Sequence, residues 1–130
     1  MSEPSTGIDY LSVDDLLEIA AGILDRVDVR EPGLLASAAA RPASSVFGSD
    51  AYTAFAEKVA ALLHSLARNH PLLDGNKRLA WSAARVFCLM NGRDLRIGVD
   101  EAEAMMLGVA SGELDVPELA VMLARHVSTI

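Results

Sequence analysis

The chain has 130 residues, enough for one domain with a single core. Hydrophobic residues make up 52% and aromatics only 5%, so the core is built from Leu, Ala, Val and Met, a mix that favours helices. A net charge of −7 excludes a binder that coats nucleic acid with its whole surface, and one cysteine excludes an intrachain disulfide or a multi-cysteine metal site.

Residues 1–11 read as a short mobile arm. Ser12 is a candidate N-cap, with Asp14 and Asp15 in the following turn. Leu16, Leu17, Ala20, Ile23, Leu24 and Val27 keep the 3.6-residue period and predict a helix over 13–27. Residues 28–33 form a break, and a short Ala-rich helix from Leu34 to Ala40 is closed by Arg41-Pro42. The stretch 43–49 is expected to be an irregular loop. This loop and the break at 28–33 are the candidate target contacts.

Ser49 or Asp50 is expected to cap the next helix, whose apolar face is Phe55, Val59, Leu62, Leu63 and Leu66 and which ends near Asn69. After a tight loop comes a helix over 76–90, with Leu79, Ala80, Ala83, Val86, Phe87 and Met90 inward, terminated by Asn91-Gly92. Beyond an extended piece near Leu95–Ile97, Asp100 is expected to cap a helix ending around Gly112. Asp115-Val-Pro-Glu118 has the form of a capping box, opening a last helix to about Val127. No strand alternation of useful length is present. The expectation is an all-α, compact single-domain bundle of about six helices.

No apolar run approaches the roughly 18 residues of a spanning helix, and the polar start Met1-Ser-Glu-Pro-Ser-Thr-Gly7 lacks the pattern of a secretion signal. The cytoplasm is the expected compartment. Cys88 lies among Val86, Phe87, Leu89 and Met90, as a buried and inert thiol would.

One segment breaks a local rule. Lys77 and Arg78 stand in the first turn of a helix, where the dipole already places positive charge and unpaired amides point forward. An anion resolves the conflict, with phosphate the natural choice and Gly75 letting backbone approach it. His70 can take a proton near neutral pH. Asp74 can contribute to a Mg²⁺ shell completed by water and phosphate oxygens. Arg78 offers a planar fork, Lys77 a mobile point charge, and Asn76 can orient either a phosphate or the turn itself. The bland alternatives are that Asp74 is an N-cap, Gly75-Asn76 a turn, and Lys77 and Arg78 solvated. Capping, however, needs neither cation. His64, six residues before His70, does not share its helix face, so a two-histidine metal site is not expected. Gly75-Asn-Lys-Arg is not a Walker A loop.

The run His70-Pro71-Leu72-Leu73-Asp74-Gly75-Asn76-Lys77-Arg78 resembles the motif of the Fic/Doc family, His-Pro-Phe-x-Asp/Glu-Gly-Asn-Gly-Arg-x-x-Arg, in its Doc form with lysine for the second glycine. Gly33–Ala38, Arg41-Pro42, Phe47-Gly48, Lys58, Arg68-Asn69 and Asn91-Gly92 extend the likeness over about residues 10–128. The resemblance implies the all-α Fic/Doc fold, with ATP and Mg²⁺ as cofactors. His70 is then the base, Asp74 the metal ligand, and Gly75, Asn76, Lys77 and Arg78 the phosphate binders.

In that family Fic enzymes transfer AMP to a target hydroxyl. The Doc branch transfers the γ-phosphate to a threonine of elongation factor Tu and so arrests translation, because lysine blocks the anion hole used by the ATP diphosphate. Three positions depart from the pattern. Leu72 replaces phenylalanine, Trp81 stands at the second arginine, and Gly75 stands where some Doc proteins have alanine. No Ser/Thr-x-x-x-Glu-Gly inhibitory helix is evident, so control is expected from a Phd-like antitoxin. The expected activity is a toxin kinase. An AMP-transferase and a catalytically silent binding module are the alternatives, and neither membrane nor direct nucleic-acid binding is expected.

Overall fold

Ser12 starts α1 (Val13–Ile23): its Oγ accepts the Asp15 N–H at 3.1 Å, and the Asp15 carboxylate accepts the Ser12 N–H at 2.8 Å. That reciprocal contact holds the Asp15 carboxyl below its ordinary value. The structure is a computed structural model that describes residues 7–130. Its other helices are α2 (Pro32–Ala40), α3 (Phe55–Asn69), α4 (Asn76–Met90), α5 (Val99–Ser111) and α6 (Val116–Ala124), with a 3₁₀ turn at Arg41–Ala43. This is the all-α six-helix bundle read from the sequence, and none of its helices is long and apolar enough to cross a membrane.

The centre of the bundle is α3, packed against α2, α4, α5 and α6. Val59, Leu62, Leu63 and Leu66 are essentially without solvent contact, as are Leu79, Ala83 and Phe87 of α4. Burying each Leu side chain contributes about 1.5–3 kcal/mol, so the α3–α4 seam holds the segment between them in a fixed frame. Met105 and Met106 of α5 are core residues, as expected.

Several boundaries correct the sequence reading. Of the arm expected at 1–11, residues 1–6 lie outside the described residues, but 8–11 are docked. Leu11 is buried, Tyr10 stacks on Phe87 at 5.9 Å, and the Asp9 N–H bonds to Asn91 Oδ1. The first helix stops at Ile23, although Leu24 and Val27 still keep its period and still pack on the core from a non-helical path. The second begins two residues early because Pro32, with its fixed φ, occupies the first turn.

Neither Ser49 nor Asp50 caps α3. Glu57 does so by reaching back to the amides of Thr53 and Ala54, and Gly98 rather than Asp100 precedes α5. Short strands are present too. β1 (Ser45–Val46) pairs with β2 (Ser49–Asp50), and β3 (Arg93–Leu95) pairs with β4 (Val127–Thr129), both antiparallel. The last helix therefore ends at Ala124 and the chain returns as β4. Asp94, bonded to Arg85 and Arg96, is held far below the usual carboxylate range and secures the neighbouring turn.

Candidate active site

Helix α3 ends at His70, which takes the left-handed conformation (φ +56°, ψ +63°) that few side-chain-bearing residues adopt. The reversal throws the chain into the loop 71–75, and Gly75 (φ +87°) turns it into α4. A Cβ at 75 would also stand 2.7 Å from the Leu24 methyl groups, which would have to shift to admit it.

Asn76 is the clamp of the loop. It is buried, its Oδ1 accepts the Leu72 N–H at 2.8 Å, and its Nδ2 donates to the Leu72 carbonyl at 2.9 Å. Of its two sequence-stated roles, orienting the turn is the one this geometry displays. The same Nδ2 faces His70 Nδ1 at 3.4 Å. The two Leu72 bonds fix which end of the amide is the nitrogen, so the weak contact favours a lone pair at Nδ1 and a proton at Nε2. At 3.4 Å it opposes the other tautomer only slightly, and the ring, on an exposed residue, keeps access to solvent. Leu72, in place of the expected phenylalanine, is 1% exposed and fills its site.

Lys77 and Arg78 are exposed in the first turn of α4, as the sequence predicted. Leu79 is the first residue whose N–H finds an acceptor in this turn, Gly75 O at 2.9 Å, so the amides of Asn76, Lys77 and Arg78 precede the ladder. Among the described residues no ion pair involves either cation. Arg78 is not idle: it donates to Ile23 O at 2.6 Å, closing the end of α1 and leaving the rest of its fork available. Asp74 is exposed, and its Oδ1 accepts the Gly75 N–H at 2.9 Å. Among the described residues no cluster of three His, Cys, Asp or Glu side chains could hold a metal unaided. Asp74 is an exposed carboxylate of the kind Mg²⁺ takes, one or two at a time, with water and a substrate's phosphates completing its shell.

Beside the cations lies a groove of about 660 Å³, lined by Lys77, Arg78 and Trp81 of α4 and by Ile97, Val99 and Met106 among others. Trp81, half-buried, walls this groove. The hairpin β1–β2 turns through Phe47 (φ +52°) and Gly48 (φ +81°), and the Phe47 side chain is fully exposed.

Sequence reasoning missed one participant. The segment 28–31 runs antiparallel to the motif loop, with Val29 bridged to Leu72 and the Arg30 and Glu31 amides both bonded to Pro71 O. The Arg30 side chain donates to the carbonyls of Asn69 and His70. A lone arginine in a polar break carries no local signal of that role. The expected cluster His70, Asp74, Gly75, Asn76, Lys77 and Arg78 is otherwise brought together by a single turn. His64, by contrast, faces Arg41 and Asp115 and has no part in it.

A left-handed histidine at a helix end, an Asn-clamped loop and two cations opening the next helix form the Fic motif loop. The family model described as the Fic/DOC family matches residues 10–88, and the chain belongs to that family. It is similar to the protein named Toxin Doc of Mycolicibacterium smegmatis (strain ATCC 700084 / mc(2)155). The two are 47% identical over 121 residues, which cover 89% of this chain and 92% of that protein.

Proposed function

We propose that this chain is the toxin of a toxin–antitoxin pair, a protein kinase that moves the γ-phosphate of ATP to a threonine hydroxyl of a translation factor, elongation factor Tu being the expected target. The likeness to a protein named Toxin Doc supports the toxin reading, and with it a Phd-like antitoxin as partner. The observation that carries the chemistry is the first turn of α4. Two cations without ion-pair partners among the described residues and the leading amides of the helix share one end, one loop away from a histidine.

In this reading His70 accepts the proton of the target hydroxyl as its oxygen attacks the γ-phosphorus and the γ-phosphorus–oxygen bond to ADP breaks, ADP leaving. Lys77, Arg78 and the leading amides stabilise the charge of the phosphoryl group in flight. Asp74 would hold Mg²⁺ together with the nucleotide, and the metal would neutralise phosphate charge. Lys77 in place of a motif glycine favours transfer of phosphate over transfer of AMP, and Trp81 in place of the second arginine adds to that preference. The exposed, left-handed Phe47 makes the β1–β2 hairpin the better of the two candidate target contacts, since the segment 28–31 is engaged in bracing the motif loop.

The test is label transfer from ATP to purified elongation factor Tu, with the label at either the γ or the α position. Transfer of γ-label alone, lost in His70→Ala, is expected. Transfer of α-label makes the protein an AMP-transferase. If neither label moves, and if His70→Ala and Arg78→Ala leave growth arrest intact, the chain is a silent binding module.

A further inference from the structure

We infer that Arg30 is a positioning residue that holds the His70 backbone in its left-handed turn and thereby aims the imidazole. The inference rests on the reading of His70 as the catalytic base. Two kinds of contact converge on residues 69–71. The Arg30 guanidinium donates through Nε and Nη2 to His70 O, at 2.9 and 2.6 Å, and through Nη2 to Asn69 O at 3.0 Å. The backbone amides of Arg30 and Glu31 then take Pro71 O at 2.8 and 3.0 Å. Three successive carbonyls at the end of α3 are thus satisfied from one tetrapeptide, which the Leu73 N–H to Asp28 O bond (2.9 Å) locks in register.

The need for such a brace is local. A histidine at φ +56° is strained, and the C-terminal carbonyls of α3 have no intrahelical donor. An αL residue that is not glycine persists only where its surroundings over-determine it. The ring itself has little else to fix it. Its one side-chain partner among the described residues, Asn76 Nδ2, is 3.4 Å away, so the direction of the imidazole is set chiefly by the backbone from which it projects. A planar fork can span adjacent carbonyls, whereas a lysine ammonium cannot do so with the same geometry. The remaining Nη1 donors of Arg30 allow a rival role, direct contact with a phosphate, and that rival predicts different kinetics.

The experiment compares wild type with Arg30→Ala and Arg30→Lys. The one-bond Cα–Hα coupling of His70, which reports the sign of φ, is measured by NMR without any substrate. Label transfer from ATP supplies kcat and KM. The expected result is a His70 coupling that moves toward negative φ and a kcat lowered on the order of tenfold to hundredfold, the scale of a misplaced reacting group. KM for ATP should stay unchanged. Arg30→Lys should fall between, and millimolar guanidinium should restore part of the Arg30→Ala rate, whereas a merely weakened fold would gain nothing from an addition too dilute to alter stability.

A wild-type coupling and wild-type kcat in either variant overturn the inference, and so does a rise in KM alone, which would make Arg30 a phosphate contact. Should Arg30→Ala fail to fold, Arg30→Lys carries the same readings. If even wild type transfers no label, the kinase reading fails while the His70 coupling still decides whether Arg30 holds the turn.

Discussion

Asn76 grips Leu72 by both backbone groups, accepting its N–H at 2.8 Å and donating to its carbonyl at 2.9 Å. The pair fastens the motif loop to the first residue of α4, so loop and helix move as one piece. Replacing Asn76 with Ala leaves a buried N–H and a buried C=O without partners. The expected cost is about 1–3 kcal/mol, a fall of several degrees in Tm for a domain of this size. The Leu72 amide should also exchange with solvent faster than in wild type. A variant that melts with wild type and keeps Leu72 protected would remove Asn76 from this role.

Lys58 and Asp50 form a buried ion pair at 3.1 Å, with side chains 1% and 10% exposed, that ties the hairpin β1–β2 to α3. Taking away the carboxylate strands an ammonium in the interior, whereas methionine in place of the lysine fills similar volume with no charge. Asp50→Ala should therefore cost about 3–5 kcal/mol, Lys58→Met clearly less, and the double variant should resemble Lys58→Met. Urea unfolding of the three proteins measures the order. Equal losses in both single variants would mean that the pair is not buried in solution.

This pair also shows where the sequence stops being legible. The helices were readable because their apolar residues repeat locally: α4 was placed at 76–90 and is found at Asn76–Met90. The motif cluster was readable because one turn supplies nearly all of it. Asp50, by contrast, reads only as an alternative to Ser49 for the helix cap, since nothing nearby in sequence reveals a lysine waiting one helix turn inside α3. Strands of two and three residues leave no room for alternation, so only β3 left a trace, in the extended piece near Leu95–Ile97, and β1, β2 and β4 left none. Val27 kept the helical period while leaving the helix, because a residue can face the core from an extended path as well. Arg30, forty residues from His70, could be found only once the fold brought the two together.

His64 should make stability depend on pH. Burial lowers its pKa below 6.5, and the charge of Arg41 lowers it further, against the opposing pull of Asp115. The folded protein then binds fewer protons at this ring than the unfolded chain does, so stability rises with pH across the window. The contribution is complete above about pH 6.5 and is lost as pH falls from there toward the lowered folded value. In His64→Gln the drop in Tm over that interval should be smaller than in wild type. An unchanged profile would assign the dependence to other groups.

Cys88 is fully buried on α4, and burial pushes its thiol up to about 12. Almost no thiolate exists at pH 8, and the sulfur is out of reach of a reagent. Native protein should resist a thiol-reactive dye and label fully in denaturant, with an intermediate rate that follows global opening. Rapid labelling of native protein would place the outer end of α4 in a locally open state.

Lys77 sets stability against function. It faces the positive end of the α4 dipole, and among the described residues no salt bridge offsets it. Lys77→Glu should therefore stabilise the unliganded protein by about 0.3–1 kcal/mol, since an acidic residue suits the first turn and a basic one does not. The same change removes a phosphate-attracting charge and adds a repelling one, so ATP binding and label transfer should be lost. Inorganic phosphate separates the two effects. It should raise the Tm of wild type, in proportion to its occupancy of this turn, and leave Lys77→Glu unmoved. If Lys77→Glu instead melts lower than wild type, and phosphate shifts neither protein, the lysine is held by contacts other than an anion, and the phosphate site at this helix end does not exist.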